Sequence, residues 1–173
     1  MERKTELNII IGINGSGKTT FIRDHVLLNR KRSIILTPDE MEWTSVPFLR
    51  PSEIKSFEGP KRIMAYPDNF NSIIELLKKE KYANGSIILD DCKSYIKSVT
   101  NETLRYLYIR RRQFNIDIYL VAHGLRQVPP EAFTFASWLI LFNSVENFSA
   151  RKGELSEGKY KTIIEAQKEI EMR

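Results

Sequence analysis

Leu7-Asn8-Ile9-Ile10-Ile11-Gly12-Ile13-Asn14-Gly15-Ser16-Gly17-Lys18-Thr19-Thr20 runs from an apolar strand through a glycine-rich turn into a helix-compatible stretch. Gly12, Gly17, Lys18 and Thr19 fill every fixed position of the phosphate-loop pattern G-x-x-x-x-G-K-[ST]. A tight strand-to-helix loop turns successive backbone N–H groups inward, where they can cradle phosphate oxygens. Glycine is needed where φ is positive or where a Cβ would block the ligand. The helix that follows adds its N-terminal dipole. Asn14, Gly15, Ser16, Gly17, Lys18, Thr19 and Thr20 are therefore read as the nucleotide-binding residues. Lys18 should reach the β and γ phosphates, and Thr19 should offer its hydroxyl to Mg²⁺. A glycine-rich loop can be only a turn. The strand before this one and the helix after it weigh against that.

Working outward, strand-like and helix-like runs alternate, which predicts an α/β fold with a mostly parallel sheet and helices on both faces. Strands are expected at 7–13, 33–36, 62–66, 86–90, 116–122 and 138–142, and a helix from Lys18 to about Asn29. Phe70, Ile73, Ile74 and Leu77 repeat at i, i+3, i+4 and i+7, one apolar helix face. Thr100 or Asn101 can cap a further helix that carries Leu104, Leu107, Tyr108 and Arg111 on one side and ends near Phe114. Residues 40–59 have no clear period and read as a long loop with one helical turn. Residues 1–142 are taken as the core. The polar extension 143–173 belongs to the same domain and is expected to be helical from about Tyr160.

A chain of 173 residues, 42% apolar and 28% charged, suggests one soluble globular domain. The 27 basic and 22 acidic residues leave a formal charge of +5, which permits contact with nucleic acid without demanding it. The single cysteine, Cys92, excludes an internal disulfide framework and fits a reducing compartment. The apolar run after the charged N-terminus is too short for a signal peptide, and that at 138–142 is far below a membrane span. These features point to the cytoplasm or, for a viral gene, to the host cytoplasm or the virion.

Ile87-Ile88-Leu89-Asp90-Asp91 is an apolar strand ending in two acids. Asp90 is the candidate Mg²⁺ carboxylate and Asp91 the candidate base for the attacking water. Two exposed acids ending a strand would look the same in isolation. The strand at 116–122 ends on His123, a polar residue where a γ-phosphate sensor would sit in a parallel sheet. Its plain reading is a histidine opening a loop. His25, inside the first helix, is read as structural. Arg110-Arg111-Arg112 closes the helix before that strand. Basic residues stabilise a helix C-terminus by themselves. The functional readings are an arginine finger into a neighbouring subunit, with Arg112 or Arg111 favoured, or a contact with a phosphate backbone.

Residues 12–20, 87–91 and 110–123, taken in that order, resemble the additional-strand P-loop ATPases. They look most like the FtsK–HerA group, which includes viral genome-packaging ATPases and Zot-like proteins. The resemblance spans residues 7 to about 142. It implies ATP and Mg²⁺ as cofactors, ATP hydrolysis, duplex DNA as the track, and a pentameric or hexameric ring with arginine fingers acting across subunits. A capsid or portal partner would follow. Two departures stand out: Asp91 takes the place of the usual Glu, and His123 that of the more usual Gln. An ABC-type ATPase would need a Leu-Ser-Gly-Gly signature, which is absent. A small nucleotide or nucleoside kinase would need an arginine-rich lid, for which the region around Arg151 is a poor candidate. A nucleotide-dependent switch without translocation is the remaining alternative, if Asp91 cannot act as a base.

Overall fold

The computed structural model describes residues 4–96, 102–144, 149, 152–153 and 155–172. The expected cap at Thr100 or Asn101 and the segment at Arg151 lie outside them. The strands are β1 Leu7–Ile11, β2 Arg32–Thr37, β3 Gly59–Met64, β4 Gly85–Leu89, β5 Ile116–Ala122 and β6 Trp138–Leu141. They form one sheet in the order β3-β2-β4-β5-β1-β6, and each neighbouring pair is parallel. β5 lies between β1 and β4, which is the additional strand.

Every position of β1, β4 and β5 is buried, so these strands read as apolar runs rather than as alternations. Alternate residues point to opposite layers. Leu7, Ile9, Ile11, Ile87, Leu89, Ile118 and Leu120 face α2 (Phe70–Lys79), α3 (Glu102–Phe114), α4 (Pro130–Phe135) and α5 (Glu157–Glu171). Ile10, Ile35, Ile88, Tyr119 and Val121 face Ile22, Val26, Trp43 and Val46 on the other side. The helix faces match their periodicity: Phe70, Ile73, Ile74 and Leu77 are buried in α2, and Leu104, Leu107 and Tyr108 in α3.

Several boundaries differ from the sequence expectation. The helix after the phosphate loop is not regular through Asn29. α1 (Lys18–Phe21) passes into a π turn at Ile22–Val26 and a 3₁₀ turn at Leu27–Asn29. Its last turn tightens where the Asn29 side-chain amide donates to the His25 carbonyl, a local bond that competes with the helical ladder. β3 starts at Gly59, and Pro60 pairs opposite Ser33. Proline is tolerated there because β3 is an edge strand, one side of which needs no partner. Residues 40–59 form the expected loop with one helical turn, the 3₁₀ turn Pro51–Glu53, and it is closely packed: Trp43, Val46, Leu49, Ile54 and Phe57 are buried. α5 begins at Glu157 rather than near 160, behind a Ser156 cap. It sets Ile163 into the main core, and Gln167 Nε2 donates to the Ser144 carbonyl at 2.7 Å. Among the described residues, no helix is long and apolar enough to cross a membrane.

Candidate nucleotide and metal site

The register aligns Ile11 with Ala122 and Leu89 with Leu120, so β1, β5 and β4 end side by side. The residues that leave those ends, 12–19, 123 and 90–91, therefore meet over one edge of the sheet. With the segment after β2 they line a cavity of about 410 Å³. The sequence-predicted Asn14, Gly15, Ser16, Gly17, Lys18, Thr19, Thr20, Asp90, Asp91 and His123 all border it.

Gly15 and Gly17 have φ of 74° and 98°, left-handed values that a Cβ would make costly. Lys18 is buried, and its Nζ donates to the carbonyls of Gly12 at 2.6 Å and Ile13 at 2.9 Å. Burial lowers the Lys18 pKa, while the charges of Asp90, Glu42 and Asp91 work to raise it. An ammonium held this way over the loop can exchange carbonyl oxygens for phosphate oxygens without leaving the cavity.

Asp90 is 7% exposed, and its Oδ2 accepts a hydrogen bond from Trp43 Nε1 at 2.7 Å. Burial pushes its carboxyl up to about 6. The Glu42 and Asp91 charges push the same way, and the Trp43 bond opposes them. Asp91 adopts a left-handed φ of 43°, uncommon for a residue with a Cβ. The Ser94 hydroxyl donates to Asp91 Oδ2, and Asp91 Oδ1 lies 3.7 Å from His123 Nε2. The His123 backbone N–H donates to Gln127 Oε1 at 2.9 Å. Thr19 Oγ1 donates to Glu42 Oε1 at 2.5 Å.

A hydroxyl beside carboxylates is the hard oxygen set that Mg²⁺ takes. No group of three or more His, Cys, Asp or Glu side chains able to hold a metal alone occurs among the described residues. Mg²⁺ commonly binds through one or two carboxylates together with substrate phosphates and water, and Thr19 with Asp90 fits that requirement.

No protein-family model and no curated protein sequence matches the chain. Solved structures do. The genome packaging NTPase B204 from Sulfolobus turreted icosahedral virus 2, in complex with ATP-gammaS, matches with TM-score 0.74 and 18% identity over 91% of this chain and 86% of that one. Its AMPPCP complex matches with TM-score 0.73 and 18% identity over 92% and 86%. The cytoplasmic domain of EssC matches with TM-score 0.52 and 14% identity over 88% of this chain but 33% of its own. The chain has the fold of an additional-strand P-loop NTPase. At such identities the likeness speaks for the fold alone.

The arginine cluster sits elsewhere. Arg110, Arg111 and Arg112 precede the first residue of β5, whereas His123 follows its last. Seven strand residues, about 3.3 Å each, put the cluster roughly 20 Å from the phosphate end. Arg111 is tied down within the chain: Nη1 donates to the Tyr108 carbonyl at 2.6 Å and Nη2 to that of Phe135 at 3.5 Å. Arg110 donates to Gln113 Oε1 at 2.6 Å, and Arg112 is exposed. His25 is exposed and stacks near Phe21, away from the cavity lining.

Sequence reasoning missed Thr37, Asp39, Glu42, Trp43 and Gln127. The first three line the cavity, Trp43 holds Asp90, and Gln127 holds the His123 backbone. One signal was present. Thr37-Pro38-Asp39 ends a strand that neighbours the Asp90 strand, so whatever follows it overhangs the same edge.

Proposed function

We propose that the chain is a Mg²⁺-dependent ATPase that moves duplex DNA as a ring oligomer, a pentamer or hexamer, in viral genome packaging beside a capsid or portal partner. The observation that carries the ATPase reading is the meeting of Lys18, Thr19, Asp90, Asp91 and His123 in one cavity at three adjacent parallel strand ends. The loop N–H groups and Lys18 bind the β and γ phosphates. Thr19 and Asp90 would hold Mg²⁺, which screens phosphate charge when bound. Asp91 accepts a proton from the water that attacks the γ phosphorus, the β–γ bridging P–O bond breaks, and ADP and phosphate leave. His123, beside Asp91, faces the γ-phosphate end and reports its presence. DNA as the track, a host-cytoplasm or virion location and the packaging role rest on the likeness to the B204 NTPases, whose described role is genome packaging.

The test is the ATPase rate with and without duplex DNA, measured alongside the oligomeric state. Stimulation by DNA that weakens at raised salt, in a ring-sized assembly, is the expected result. Phosphate transfer to a nucleotide, with no response to any nucleic acid, would replace this reading with a kinase. Nucleotide binding without turnover would leave a switch.

A further inference from the structure

We propose that Glu42 is a positioning residue of the metal site: it holds the Thr19 hydroxyl so that the oxygen lone pair faces Mg²⁺, while Trp43 fixes Asp90 for the same ion. The inference rests on the Mg²⁺–nucleotide reading above.

Glu42 and Trp43 are adjacent in the segment after β2, and each engages one of the two groups that the phosphate loop and β4 offer to a metal. Thr19 Oγ1 donates to Glu42 Oε1 at 2.5 Å, the length of an O–H···O⁻ bond to a charged acceptor. Trp43 Nε1 donates to Asp90 Oδ2 at 2.7 Å, and the indole is 2% exposed. A hydroxyl that ligates a cation through its oxygen still needs an acceptor for its hydrogen, and Glu42 is already in place as that acceptor. With the Trp43 N–H on Oδ2, the Asp90 carboxylate is held in place and keeps lone pairs for the ion or its water. Neither bond must break when the metal arrives.

The backbone supports a built arrangement. Trp43 has φ of 32°, a strained value for a bulky residue, in a buried setting that over-determines it. Arg62 anchors the same segment through a 3.0 Å bond from Nη1 to the Glu40 carbonyl. Glu42 also acts electrostatically on both Lys18 and Asp90.

Glu42→Gln keeps the size and removes the charge. The probe is a non-hydrolysable ATP analogue, titrated by calorimetry across a Mg²⁺ series and again with the metal chelated. Groups that orient metal ligands typically carry 10- to 100-fold in metal affinity, so the Mg²⁺ concentration for half-maximal binding should rise about tenfold or more. Metal-free binding should tighten about threefold, because one negative charge near the phosphates is gone. Glu42→Asp should recover part of the Mg²⁺ response. A Mg²⁺ midpoint within about twofold of the unmodified chain overturns the role of Glu42. A parallel loss of metal-free and metal-bound affinity with a lowered melting temperature overturns it too, as that marks a folding effect. Failure of the unmodified chain to bind the analogue overturns the underlying reading, and is seen before any variant is made.

Discussion

Asp90→Asn should make the nucleotide-free protein more stable. The Asp90 carboxyl rises from an ordinary 3.8 to about 6 because it is buried among like charges. The folded state therefore holds this proton more tightly than the unfolded chain does. Well below pH 4 both states are protonated and the group costs nothing. Stability falls as pH rises from about 4 to about 6, and above that the folded protein bears a buried carboxylate at full cost. At about 1.4 kcal/mol for each tenfold change in proton affinity, the full cost is about 3 kcal/mol above pH 7 and roughly half that near pH 5. Asparagine cannot ionise, and its Oδ1 can still accept the Trp43 N–H. The variant should gain about 3 kcal/mol near pH 8, roughly 6–12 °C in Tm for a chain of this size. Urea or thermal unfolding followed by circular dichroism at two pH values measures it, with nucleotide and metal excluded. A variant no more stable than the parent near pH 8, or a gain that is the same at both pH values, refutes the account of Asp90 as a carboxylate kept charged for a ligand.

The same proton predicts that Mg²⁺-dependent nucleotide binding weakens as pH falls through about 6, because a carboxyl must lose its proton to serve the ion; calorimetry in two buffers should also show proton release on binding below that pH. Lys18→Ala should weaken nucleotide binding about 10- to 100-fold, the worth of charge-assisted bonds to phosphate, with the fold retained by circular dichroism. Asp91→Asn should leave binding within a few-fold and cut turnover by roughly 10²–10⁴, the usual contribution of a general base; unchanged turnover rejects Asp91 in that role. Mixing Arg112→Ala subunits with unmodified ones should depress the ATPase rate more steeply than dilution, since a finger can carry about 10³–10⁵ in rate. Linear dilution argues for independent subunits.

The central strands were legible because each is mostly Ile, Leu and Val and is bounded by turn residues. Ile116 to Ala122 could hardly be anything but a strand covered on both faces. The sheet order was not legible in any one motif. What escaped was the packing of residues 40–59. Their apolar members, Trp43, Val46, Leu49, Ile54 and Phe57, follow neither a helical nor a strand period because they pack from turns. Trp43 is the sharpest case. A lone tryptophan among prolines reads as loop filler, yet its N–H is the group that meets Asp90. Only long-range pairing reveals that, since 47 residues separate the partners. The arginine triplet was legible as a helix end, and Arg111 behaves as one, bonded to the Tyr108 and Phe135 carbonyls.

The charge distribution of the cavity bears on how the chain could work. Among the described residues, Asp39, Glu42, Asp90 and Asp91 line it against the single lysine Lys18, with no arginine. A bare triphosphate entering that space meets four carboxylates, which on the proposed reading favours the triphosphate with a divalent cation held by Thr19 and Asp90. Charge that grows on the γ phosphate during transfer then lacks a second cationic side chain from this chain's own lining. Arg110 and Arg112 cannot reach it, standing roughly 20 Å away behind the length of β5. In the proposed ring, one of them would act on a neighbouring subunit's site. The subunit-mixing experiment therefore bears on the chemistry as well as on the assembly.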